Sequence, residues 1–213
     1  MNKGATVEQR VDALLQQVAS AAPTPGGGSV SALAGAMGAA LGAMVWRLTQ
    51  AKGSSDLSEE RLDDLIGDLD RLRVSLLASS DRDAASYEGV LAAMRLPKQS
   101  DAERVSRVVA IEVATRVATE VPLETARLCG EVLHRCAAAA HLGHVQAVTD
   151  AGVGAQMAFA GLVGALYNVQ VNLNGLGDDI FRSAASAEAA VLRLAAEEVV
   201  RVVDEEVAER LGS

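Results

Sequence analysis

Apolar residues recur every three or four positions along nearly the whole chain, and no segment alternates apolar and polar as a half-buried strand would. Thr6-Val-Glu-Gln9 has the form of a capping box, and Val7, Val11, Leu14, Leu15 and Val18 make one apolar face; this helix must end before Pro23. Pro23-Thr-Pro-Gly-Gly-Gly-Ser29 forbids a helix through its prolines and then frees the backbone to turn. Ser29 is the predicted N-cap of a second helix running to about Thr49. A third starts near Asp56-Leu-Ser-Glu59 and places Leu62, Leu65, Ile66, Leu69, Leu72 and Leu76 on one side. It continues through Tyr87, Val90, Leu91 and Met94, either unbroken or with an interruption near Ser79-Ser80, and stops at Leu96-Pro97-Lys98.

Ser100-Asp-Ala-Glu103 caps the next helix, which carries Val105, Val108, Val109, Glu112 and Val113 and is expected to stop at Val121-Pro122. Pro122 suits the first turn of a following helix, to about His141, with Gly143 past its end. Another helix runs from about Val145 to Val171. The loop Asn172 to Gly177 then separates it from an amphipathic last helix, Asp178 to Arg210. The expectation is one all-α domain over residues 1–213, an antiparallel bundle of seven to eight helices.

Composition sharpens this picture. Half of the 213 residues are apolar but only 2% are aromatic, so the core depends on close approach between small side chains. Gly35, Gly38 and Gly42 leave the second helix smooth on one side, at up to ~1 kcal/mol each in helix propensity. Something must come close there: a partner helix, the twin of this one in a dimer, or a ligand. A net charge of −9 argues against nucleic acid or an anionic membrane as partner. Residues 26–46 and 151–177 carry no charge and are long enough to span a bilayer, but their Ala, Gly, Ser and Asn content reads as central helices packed on all sides. The N-terminus lacks the apolar segment of a signal peptide, which points to a cytoplasmic protein. Cys129 and Cys136, seven apart on one helix, would be ~10.5 Å apart at Cα, too far for a disulfide, and read as free thiols.

A glycine-rich turn opening a helix presents unpaired N–H groups and a positive dipole end, a ready site for an anion or carbonyl oxygen at Gly26, Gly27 and Gly28. The phosphate-loop pattern GxxxxGK[ST] is absent. Asn168 and Asn172 share a face of a very apolar helix, where their amides need partners, either a ligand or another helix. Asp150 opens that helix as a favourable cap. His134, Cys136, His141 and His144 show neither HExxH nor paired CxxC spacing, so no metal site is assigned.

Several stretches, in order, resemble the cyclodeaminase/cyclohydrolase family. They are PTPGGGS with its Ala/Gly helix ending Met44-Val-Trp-Arg-Leu-Thr49, and Asp83-Ala-Ala-Ser-Tyr87 with Leu96-Pro97-Lys98. Val121-Pro122-Leu123, Thr149-Asp150-Ala-Gly-Val153 and Asn168-Val-Gln-Val-Asn172 follow. Two departures stand out: Gln170 where the family often has arginine, and Gly177 where it often has lysine. Both bear on how a folate's acidic tail is held.

The resemblance implies a homodimer with no tightly bound cofactor, acting on a tetrahydrofolate derivative as substrate. The reaction is either hydrolysis of 5,10-methenyltetrahydrofolate to 10-formyltetrahydrofolate or cyclisation of 5-formiminotetrahydrofolate to the methenyl species with loss of ammonia. It implies Asp83 as the acid/base carboxylate. Lys98 would protonate a leaving nitrogen or pair with substrate carboxylates. Tyr87 would lie beside the pterin, and Ser29, Ser31, Asp150, Asn168 and Asn172 would join the glycines in binding. The alternative is a non-catalytic helical scaffold that kept the fold.

Overall fold

A computed structural model describes the backbone of residues 3–212 and the side chains of residues 11–212, so the expected capping box at Thr6 and the packing of Val7 lie outside the described residues. Among the described residues six α-helices follow one another: α1 (Lys3–Val18), α2 (Gly27–Lys52), α3 (Glu59–Met94), α4 (Asp101–Leu142), α5 (Val148–Leu173) and α6 (Asp179–Gly212), with a single 3₁₀ turn at Val145–Ala147 before α5. No strand occurs among the described residues.

The count falls below the expected seven to eight because two predicted breaks are absent. Ser79 and Ser80 lie inside α3, where Ser79 is buried. Pro122 lies inside α4, which runs straight through it. A proline in a helix interior removes the N–H that would bond the carbonyl four residues earlier. Here that carbonyl belongs to Ala118, and Asn172 on α5 donates Nδ2 to it at 2.6 Å. Tertiary structure thus supplies the partner that the sequence deletes.

The caps explain where the long helices start and stop. The Ser100–Glu103 capping box forms as the sequence predicts, with each side chain reaching the other's backbone. Ser58 caps α3. Gly53 ends α2 with φ 55°, a left-handed conformation that glycine adopts freely.

α2 and α5, the two most apolar helices, cross antiparallel at the centre. A Cβ on Gly38 would lie 2.6 Å from the carbonyl oxygen of Gly154, and one on Gly161 would lie 2.6 Å from that of Ser31. A Cβ on Gly35 would lie 2.4 Å from Cys129 Sγ, and one on Gly42 would lie 3.0 Å from Cys136 Sγ, both on α4. The glycine face of α2 is therefore consumed by α4 and α5 of the same chain, and it no longer argues for a dimer. Both cysteines are free and fully buried, and burial pushes each thiol up to about 12.

The predicted leucine face of α3, Leu62 to Leu76, is buried in the core it shares with α2 and α4. The valines of early α4 behave otherwise: Val105, Val108, Val109 and Val113 are exposed in the single chain. Helical spacing marks an apolar face but does not say what covers it. The windows of α2 and α5 that are apolar enough to cross a membrane are 61% and 50% buried inside this bundle.

Candidate functional site

The site begins where α2 begins. Gly26 is the N-cap and has no side chain with which to cap, so the first N–H groups of α2 need an acceptor from elsewhere. Asp83, about two thirds of the way along α3, supplies it. Its Oδ2 accepts the Ser29 hydroxyl at 3.0 Å, and its carboxylate also accepts the Ser29 backbone N–H. The positive end of α2 faces this carboxylate. Its approach is close because Gly28 has no side chain: a Cβ there would sit 2.1 Å from Asp83 Oδ1 and 2.5 Å from Cγ. Burial raises the Asp83 carboxyl above its ordinary 3.8, and the two hydrogen bonds from Ser29 offset only part of that rise.

Asp83 opens onto a cavity of about 510 Å³, a volume typical of small-molecule sites. Four segments line it: the 23–28 loop, one face of α3 from Asp83 through Tyr87 to Met94, Ile111, Thr115 and Ala118 of α4, and Asn168 to Gly175 at the end of α5. Asp83 is the only charged side chain among the described residues that line it. Asn168 donates Nδ2 to the Gly164 carbonyl of its own helix at 2.9 Å. That leaves its side-chain oxygen uncommitted. Asn172 likewise spends only its amide N–H on Ala118.

The structure thus brings together Gly26, Gly27, Gly28, Asp83, Tyr87, Asn168 and Asn172 out of the residues the sequence singled out. Four others are placed differently. Ser29 is not the N-cap; it is fully buried behind Asp83 and also faces the Ser80 carbonyl at 3.1 Å, so it positions the carboxylate. Ser31 is buried at the α2–α5 crossing, where its hydroxyl donates to the Gly27 carbonyl at 2.7 Å and a Cβ on Gly164 would lie 2.4 Å from it. Asp150 lies in the first turn of α5, whereas the cavity is at the last; eighteen residues of helix separate it from Asn168 by about 27 Å. Lys98 is exposed on the loop beyond α3, outside the lining. Asp83 and Met94 are already about 16 Å apart along α3, and Lys98 lies four residues beyond Met94.

The histidines are scattered rather than gathered. His141 Nδ1 meets Glu206 at 3.1 Å and His144 Nδ1 meets Ser54 at 3.0 Å.

Sequence reasoning missed the wall made by α4. Ile111, Thr115 and Ala118 carry no polar signature, and a periodic pattern cannot tell a cavity wall from core. The signal that was available is Pro122, since a mid-helix proline leaves one carbonyl in need of a donor. Replacing Asn172 with alanine is therefore expected to cost about 1–3 kcal/mol by stranding the buried Ala118 carbonyl. In a Pro122→Ala background that loss is expected to shrink, because residue 122 then donates its own N–H; denaturant unfolding of the four-membered mutant cycle measures the coupling.

A helical bundle with a single carboxylate facing a cavity of this size has the architecture of a small-molecule enzyme. The chain belongs to the formiminotransferase-cyclodeaminase family, whose model matches residues 10–191. It is 39% identical over 173 residues, 81% of this chain and 83% of the relative, to methenyltetrahydrofolate cyclohydrolase of Methylorubrum extorquens. It is 33% identical over 180 residues to formimidoyltransferase-cyclodeaminase of Gallus gallus, covering 84% of this chain but 33% of that protein, so it spans about a third of the bifunctional relative. The crystal structure of formiminotetrahydrofolate cyclodeaminase from Thermotoga maritima superposes with a TM-score of 0.81 at 25% identity, over 91% of this chain and 93% of that one.

Proposed function

We propose that the chain, read as one domain over residues 1–213, is a tetrahydrofolate one-carbon enzyme. It hydrolyses 5,10-methenyltetrahydrofolate to 10-formyltetrahydrofolate. The observation that carries this reading is Asp83, a lone carboxylate held on the N-terminus of α2 and facing the cavity. The methenyl carbon is cationic between two nitrogens, and an uncompensated carboxylate stabilises it. Ionised Asp83 takes a proton from the attacking water as its oxygen bonds to the methenyl carbon. The proton then passes to N5 as the carbon–N5 bond breaks, and the new hydroxyl releases its own proton to leave the formyl group on N10. Tyr87, one turn along α3, packs beside the pterin, and the free oxygens of Asn168 and Asn172 accept its N–H groups. The reading needs no tightly bound cofactor.

A second reading is cyclisation of 5-formiminotetrahydrofolate with loss of ammonia, which the resemblance to the Thermotoga structure favours. Both reactions share the methenyl chromophore, so one assay addresses both. Purified protein given 5,10-methenyltetrahydrofolate is expected to speed the loss of methenyl absorbance over a blank. A gain from 5-formiminotetrahydrofolate alone assigns the cyclodeaminase instead. Binding without change in either cuvette leaves the scaffold reading.

We also propose a cytoplasmic homodimer without nucleic-acid or membrane partners. The net charge of −9 supports the last point, and two buried free thiols suit a reducing compartment. Support for the dimer is the solvent face of α2 and α5: Val30, Met37 and Met44 on one, Val153, Tyr167 and Val171 on the other, all exposed, in stretches without a charge. A second copy presents the same uncharged surface, whereas a charged partner would find nothing to pair with. A native mass of one chain would remove this proposal.

A further inference from the structure

The cavity wall offers no cation to an anionic ligand, and the two positions where the resemblance places one hold Gln170 and Gly177. The Gly177 side is in fact acidic: the Glu112 carboxylate accepts the N–H groups of Gly177 and Asp178 at 2.9 and 3.1 Å. About 7 Å further toward the N-terminus of α4 the rim changes character. Most described arginines are paired with a carboxylate. Among the described residues, the Lys and Arg side chains without such a partner are Lys52, Arg61, Arg95, Lys98 and Arg107. Three of these five, Arg95, Lys98 and Arg107, belong to the segment where α3 ends and α4 begins.

Their placement follows from the lining itself. On α4 the cavity lining runs Ala118, Thr115, Ile111, and the same helix face continues one turn beyond the lining to Arg107. Arg107 donates Nε and Nη2 to the Met94 carbonyl at 3.1 and 2.9 Å, which fixes the guanidinium at the cavity's end and leaves Nη1 uncommitted. Met94 lines the cavity, and Arg95 is the next residue, the C-cap of α3. Lys98 is held in the same loop through its carbonyl, which accepts from Arg104 at 3.3 Å. The acids nearby are occupied: Asp101 pairs with Arg104, and Glu103 accepts the backbone N–H groups of Gln99 and Ser100.

We propose that Arg95, Lys98 and Arg107 form an anion subsite that anchors the carboxylates of the substrate's glutamyl tail. This rests on the folate reading above and deepens it. The trough along α3, about 16 Å from Asp83 to Met94, then orients an elongated molecule: its reacting carbon at the carboxylate end, its anionic end among the three cations. Lys98 belongs to this anchor and takes no part in proton transfer. The anchor replaces the cations missing at positions 170 and 177, with charge-assisted hydrogen bonds on a half-open rim.

The experiment compares 5,10-methenyltetrahydrofolate with the corresponding methenyltetrahydropteroate, which lacks the glutamate. The wild-type protein is expected to prefer the tailed compound in kcat/KM, through KM rather than kcat, and the preference should fall with added salt. In the Arg95→Gln/Arg107→Gln double variant the ratio of the two kcat/KM values is expected to drop about tenfold. Arg107→Lys, which keeps the charge, should hold most of the preference. An unchanged ratio in the double variant, or no preference in the wild type, overturns the subsite while leaving the folate reading intact. If the wild type converts only 5-formiminotetrahydrofolate, the same ratio is read on that compound and its pteroate analogue; turnover of none of these compounds overturns the folate reading, and the subsite with it.

Discussion

Asp83→Asn is expected to lower kcat for the one-carbon reaction by about 10²–10⁴ while leaving the melting temperature unchanged or raised. The two halves of this outcome have one cause. An asparagine oxygen still accepts the Ser29 hydrogen bonds, so the cap on α2 survives, but the side chain no longer takes up a proton or faces the cationic carbon with a charge. The stability half follows from linkage. Burial raises the Asp83 carboxyl in the folded state, so the native protein holds that proton more tightly than the unfolded chain does. The contribution from this group is therefore greatest at acid pH, below the unfolded value near 3.8. It declines as pH rises toward the higher folded value, and at neutral pH the buried charge is a cost that asparagine removes. The same raised value shapes the rate profile. A base works only when ionised, so kcat/KM should fall on acidification along a limb lying above the ordinary carboxylate range, and Asp83→Asn should abolish that limb. A pH-rate profile beside a thermal melt of both proteins checks all of this; a variant that keeps its activity removes Asp83 from the chemistry.

Gly28→Ala should be nearly as damaging to activity, by more than about tenfold in kcat, although it adds one methyl group. The new Cβ would need the space that Asp83 Oδ1, Cγ and Oδ2 now occupy at 2.1, 2.5 and 2.7 Å. The carboxylate must swing away and lose the Ser29 donors. Glycine-to-alanine exchange in a helix is otherwise favourable by up to ~1 kcal/mol. Gly89→Ala supplies the contrast, since it lies on the same helix as Asp83 and a Cβ there meets nothing within 4 Å. That variant should gain stability by the propensity difference. Circular dichroism with steady-state kinetics on the two variants separates a clash at the site from a general intolerance of alanine. Equal activity in both would mean that Asp83 does not need its place against α2.

Much of this molecule was legible without coordinates. Period-three-and-four spacing marked every long helix, Ser100 and Glu103 capped α4 as read, and the leucine face of α3 is buried where predicted. The ordered motifs indicated the family, and seven of the residues they nominated share one cavity. The misreadings have a common origin, which is that local signals do not know their neighbours. Ser29 has good N-cap chemistry, but a carboxylate 54 residues away took its hydroxyl, and the helix starts two residues earlier. Pro122 is a sound stop signal, but an amide from another helix satisfied the carbonyl it orphans. Asp150 and Asn168 share a helix and a motif block, yet about 27 Å of helix divides them.

The sequence by itself determined the helical class, the family and the identity of the central carboxylate, because periodicity, capping chemistry and motif order are properties of the chain alone. Only the tertiary structure decided what the glycines are for. Gly35, Gly38 and Gly42 make room for α4 and α5, while Gly28 makes room for Asp83. A missing side chain specifies that something comes close, and which atom arrives is fixed by how distant helices pack.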